Sequence, residues 1–200
     1  LFVNDQSLQD YHHLHPQPTG EPGVYACSFT PATGNRYQGW AEFALARGSE
    51  TRQLQAALPS ASCRSLRPSV RLASRAEAKD LHFSWNASEP LQAGKPCIAE
   101  VKVSDASGKP VSGFEPVMGA YAHLAGFSGA GAPLLHAHPL DFDGARFRFH
   151  IEPQTEGPMQ LYMQVKRGGE EFMVPFGQMV KAPLCSAEAP MVSPHHAYAR

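Results

Sequence analysis

Turn chemistry interrupts this chain so often that long helices have no room. In its second half, LHFSWNA (from Leu81), CIAEVKV, AYAHLAGF, LLHAHPL, ARFRFHIE, MQLYMQVK and EFMVPFGQMV are rich in β-branched and aromatic residues, and several alternate apolar with polar. SDASGKP, SGAGAP, DFDG, PQTEGP and RGGE stand between them and favour turns. Seven short strands within about a hundred residues predict an Ig-like sandwich. The 17 Gly and 18 Pro of the chain agree with frequent turns. Only Ser74 to Lys79, SRAEAK, reads as a helical turn, within a basic linker.

The first half repeats the second. LFVNDQSLQDYHHLHP from Leu1 and LAGFSGAGAPLLHAHP from Leu124 both run from leucine to the proline of H-x-H-P, which lays His13 on His136 and His15 on His138. Shortening the offset by one residue lays SFTP on HIEP, YQGWAEF on MQLYMQV and Cys63 on Cys185. Residue identity is thin, so the repeat rests on order and spacing. The expected fold is all-β: two tandem Ig-like antiparallel sandwiches, the first lacking its opening strands. Residues 1–62 form the incomplete unit, 63–80 a linker, 81–184 the whole unit and 185–200 a tail. Position zero would be the counterpart of His123. Either the chain is trimmed there or another segment or subunit fills the gap.

Bulk properties exclude several partners. A formal net charge of −1 and a pI near 6.9 supply no field for nucleic acid or an anionic membrane. No stretch is apolar enough to span a bilayer, and the first residues lack the features of a signal peptide, so any export signal would lie upstream of Leu1. Cys27, Cys63, Cys97 and Cys185 lack C-x-x-C spacing, and their even number suits an oxidising compartment with at least one disulfide. Three pairings are open.

The histidines carry the chemistry. Side chains two apart on a strand share a face, so His136 and His138 can converge on one ion. If the hairpin is centred between Ala130 and Gly131, His123 sits opposite His138 with His136 diagonally adjacent, and three nitrogens meet. Copper or zinc accepts such a set with one position open. His13 and His15 repeat the pair without a third partner. Met118 and Tyr121 are assigned to packing, His12 to solvent, and His195 and His196 to a frayed tail. No phosphate loop, nucleophile elbow or H-E-x-x-H helix occurs, so no enzyme is indicated.

LFVNDQSLQDYHHLHPQP, and VMGAYAHLAGF through LLHAHPL to MQLYMQV and FMVPFGQMV, resemble the bacterial exported YtkA-like and FixH-like β-sandwich proteins. That resemblance implies an envelope setting linked with copper handling, with the family histidines falling on His123, His136 and His138. The expected function is therefore a periplasmic or secreted metal-binding protein, copper in preference to zinc. The alternative is a metal-free module that docks another envelope protein or a second copy through the first unit.

Overall fold

The computed structural model describes residues 1–45, 51–59, 67–129 and 131–183. Its strands are β1 (Phe2–Asp5), β2 (Tyr11–His13), β3 (Gln17–Pro18), β4 (Tyr25–Ala26), β5 (Tyr37–Ala44), β6 (Thr51–Ala57), β7 (Arg75–Ala78), β8 (Leu81–Ala87), β9 (Cys97–Ser104), β10 (Phe114–Glu115), β11 (His123–Phe127), β12 (Leu135–Ala137), β13 (Pro139–Phe142), β14 (Arg146–Ile151), β15 (Gly157–Arg167) and β16 (Glu170–Val180). The described residues contain no helix, and every strand pairing is antiparallel.

The C-terminal unit is an Ig-like sandwich by topology. One sheet runs β13-β14-β9-β8-β7; the other sets β12, β11, β15 and β16 side by side, with β10 also on β15. With β8, β9, β11, β12, β13, β14, β15 and β16 as strands A, B, C, C′, D, E, F and G, these are the D-E-B-A and C′-C-F-G orders of immunoglobulin domains. Alternation places Phe83, Trp85, Ala99, Val101, Phe147 and Phe149 against Leu124, Leu161, Met163 and Phe176 in the core between the sheets. SRAEAK is not a helical turn. Arg75 to Ala78 pair with β8, and Ala76 and Ala78 pack against the core while Arg75 and Glu77 are exposed, a period of two that suits a strand.

The described residues of the N-terminal unit reproduce half of that sandwich. Their sheet runs β2-β1-β5-β6, which is again C′-C-F-G, with a small ribbon of β3 and β4 between. The register repeats as well. Phe2 pairs with His13 and Trp40 as Ala125 pairs with His136 and Tyr162. The outer face of this sheet, the one equivalent by register to the Ala125 and Tyr162 face, rests on the outer face of the other unit's β11 and β15. Phe2, Leu8 and Trp40 pack there on Ala125, Phe127, Leu134 and Tyr162. All five residues of β11 are consequently buried, because both faces of that strand are covered.

A polar network closes the N-terminal unit. Buried Asp5 accepts hydrogen bonds from Ser7 (2.5 Å), Asn35 (2.6 Å), Thr33 (3.0 Å) and the amide of Gln9 (2.8 Å), while Tyr37 donates to Asp10. Burial would raise the Asp5 pKa, but these donors outweigh it and hold the carboxyl below its usual range. Cys27 is exposed, Cys97 buried, and both are free thiols; Cys63, Cys185 and the tail from 185 lie outside the described residues.

Gly177 marks where the segment before β7 meets β16. Ala73 and Gly177 exchange backbone hydrogen bonds of 2.9 and 3.1 Å, and a Cβ at Gly177 would collide with the Arg71 carbonyl. Gly177→Ala should lower stability by about 1–3 kcal/mol through that clash, read as a lower urea midpoint with an unchanged slope. An unchanged midpoint would contradict the close approach.

Candidate metal centre

All three of the site's nearest imidazoles come from the β11–β12 hairpin and its exit. Leu124 pairs with Ala137 and Ala125 with His136, so one further step sets His123 opposite His138. The strand LLHAHPL is not continuous, however. β12 ends at Ala137, and Pro139 opens β13 in the other sheet. Proline has no amide hydrogen for the β12 ladder, and it begins a strand where none is needed. His138 therefore lies at the crossing between sheets and is exposed, His136 is half-buried, and His123 is only 4% exposed.

Hydrogen bonds set the tautomers of the inner pair. His123 Nε2–H donates to the Val117 carbonyl at 2.9 Å, which leaves Nδ1 as a lone pair in the neutral ring. His136 Nδ1–H donates to Glu42 Oε2 at 2.6 Å, which in the neutral ring leaves Nε2 as a lone pair. Those two lone-pair nitrogens face each other at 3.4 Å. His138 Nε2 lies 3.0 Å from the same His123 Nδ1. All three inward nitrogens fall within 4.8 Å of one another.

The other H-x-H-P copy arrives at the same place. The His13 ring centroid lies 5.1 Å from that of His123 and 6.0 Å from that of His136, with His15 5.2 Å from His13. His13 is stacked flat on Phe2, whose ring also abuts His136. Gln164 donates through Nε2 to Glu171 at 3.1 Å, so its Oε1 accepts from His13 Nδ1–H at 2.8 Å. The expected second pair is thus no separate site, because face-to-face packing of equivalent sheets brings equivalent positions together. Each equivalent histidine is held by the opposing unit's F strand: His136 by Glu42 on β5, His13 by Gln164 on β15. These outer partners were not identified from sequence. The only signal was the repeat itself, which lays Glu42 on Gln164.

The other candidates lie elsewhere. Met118 is exposed in the turn 117–120, and Tyr121 packs on Phe142 at 4.6 Å. His12 does not face open solvent: it is half-buried beside Phe29, with Nε2 3.0 Å from Asp10. His195 and His196 lie outside the described residues.

Burial disfavours protonation of His13, His123 and His138. Desolvation, reinforced by neighbouring imidazoles, lowers the His13 pKa to about 3 and that of His123 to about 4, and also lowers that of His138. Burial alone would raise the Glu42 pKa, but hydrogen bonds from His136 and Gln53 hold its carboxyl below the usual range. In the unfolded chain His13 and His123 take up protons near the ordinary histidine value of 6.5, whereas in the folded protein they do so only at about 3 and about 4. Below about 6.5 the unfolded state binds more protons, so stability should fall as pH drops from about 6.5 toward about 4. Urea midpoints across that range should decline, and less steeply in His123→Gln; an identical decline in that variant would refute the assignment to His123.

Residues 76–182 match the family described as Domain of unknown function (DUF8832). No curated protein gives a significant match. Among solved structures, the chain is similar to the crystal structure of the Lin-41 filamin domain at 14% identity and a TM-score of 0.36, covering 54% of this chain and 98% of that one. It is also similar to the S-layer protein SbsC domains 4 and 5, at 10% identity and a TM-score of 0.30, covering 74% of this chain and 56% of that one. The chain belongs to the DUF8832 family, and its matched segment includes His123, His136 and His138 but not His13, His15 or Glu42.

Proposed function

We propose that this protein binds one copper or zinc ion through His123 Nδ1, His136 Nε2 and His138 Nε2, as a non-enzymatic metal-binding protein of an exported, periplasmic or secreted setting. One observation carries the reading. Two lone-pair nitrogens, each with its ring's other nitrogen committed to an acceptor, face each other at 3.4 Å. Two acceptors at that separation repel in the neutral rings, and a cation bound between them turns that repulsion into coordination. Nitrogens bound tetrahedrally at ~2.0–2.1 Å stand about 3.4 Å apart. The Glu42–His136 hydrogen bond is the outer contact that metal-ligating histidines generally make. An all-imidazole set suits Zn(II) and Cu(II), and the resemblance to YtkA-like and FixH-like proteins favours copper. The exposure of His138 leaves a side open for a fourth ligand.

A second reading, a metal-free module docking another envelope protein or a second copy by strand addition, is favoured by β6. That strand is a sheet edge, and all seven of its residues are exposed.

Calorimetric titration of metal-free protein at pH 7.5 separates the two. One equivalent of Cu(II) or Zn(II) should bind, and His136→Ala and His138→Ala should each weaken binding on the order of 100-fold or more, beyond the loss typical of an outer partner. His82→Ala, on β8, should leave it unchanged. Since only unprotonated imidazole coordinates, affinity should also fall in acid. No binding by the unmodified protein would leave the docking reading.

A further inference from the structure

We infer that Glu42 is a positioning residue for the ion site, so that metal occupancy and the packing of the two units on each other strengthen one another. This rests on the metal-binding reading above. The three ligands all belong to the C-terminal unit, whereas Glu42 belongs to β5 of the N-terminal unit. Its carboxylate reaches across the interface to His136 Nδ1 at 2.6 Å and is itself steadied by Gln53 Nε2 at 3.1 Å. Gln53 in turn bonds both backbone groups of Leu134, accepting from its amide at 3.1 Å and donating to its carbonyl at 3.3 Å, two residues before the ligand. The N-terminal unit thus grips the ligand strand at His136 and again at Leu134.

The pseudo-symmetric contact shows what is particular about Glu42. On the other side of the pocket Gln164 holds His13 with a neutral amide, while Glu42 holds His136 with a carboxylate. A cation bound at His136 Nε2 withdraws electron density from the ring and makes Nδ1–H a stronger donor, a change a carboxylate answers more strongly than an amide. By reciprocity, whatever the docked unit adds to ion affinity, the ion adds to docking. The charge difference also explains why the ion would favour the His136 half of a pocket lined by both histidine pairs.

The test uses the full chain and Zn(II) alone. Glu42→Gln, which keeps size and removes charge, should lower Zn(II) affinity roughly 10–100-fold, and Glu42→Asp should recover part of that loss. In the unmodified protein, saturating Zn(II) should slow amide hydrogen exchange in β1, β2 and β5, none of which supplies a ligand, and the slowing should shrink in Glu42→Gln at equal occupancy. Unmodified protein that binds Zn(II) while Glu42→Gln binds it equally well would overturn this inference and leave the metal reading standing. So would bound Zn(II) with no slowing in β1, β2 or β5, a result that needs no variant to fold. Absence of Zn(II) binding by the unmodified chain sinks both.

Discussion

Two equivalent sheets, each apolar on its outer face, cover one another, and the remaining architecture depends on that contact. The N-terminal sheet has no opposing layer of its own among the described residues. Phe2, Leu8 and Trp40 would meet water if Ala125, Phe127, Leu134 and Tyr162 did not meet them. Hydrogen bonds fix the fit in both directions. Trp40 Nε1–H donates to the Ala132 carbonyl at 3.2 Å, and Tyr162, its counterpart, donates to the Leu8 carbonyl at 2.8 Å. Each F strand thus reaches the C–C′ loop of the opposite unit, a reciprocity that follows from packing like against like.

The histidine pocket lies within this contact, and its chemistry inherits that position. His123, Ala125 and Phe127 share the outward face of β11, so the apolar residues that bind the units also exclude water from beside the imidazoles. Desolvation then holds His13 and His123 neutral, the state a ligand needs. Neutrality alone would leave the ring nitrogens free to choose tautomers. Val117, Glu42 and Gln164 remove that freedom by accepting from the outer nitrogens, so the lone pairs of His123 and His136 turn inward.

Much of the fold was legible because strand formation is local. Alternation and turn residues marked β8, β9, β14, β15 and β16, and the spacing around the second H-x-H-P motif implied the register that sets His123 opposite His138. The legible part of the site stopped there. At Ser74 to Lys79, alanine and charged residues read as a helical turn, but pairing with β8 decided for strand, since two alanines there meet an apolar core that local propensity does not know of. At His138, the proline that marked a strand end also marked a change of sheet, which depends on where the second sheet lies.

By itself, then, the sequence determined an all-β chain, two related units, and two pairs of same-face histidines, because period-two patterning, turn chemistry and repeat spacing act between residues near in the chain. Only the tertiary structure decided that both pairs enter one pocket, that Glu42 and Gln164 hold their rings, and that Asp5 and Asp10 anchor a buried network. Those outcomes depend on which faces remain uncovered after each sheet has formed. That is a property of surfaces rather than of neighbours in sequence, and it appears only when the two units close on each other.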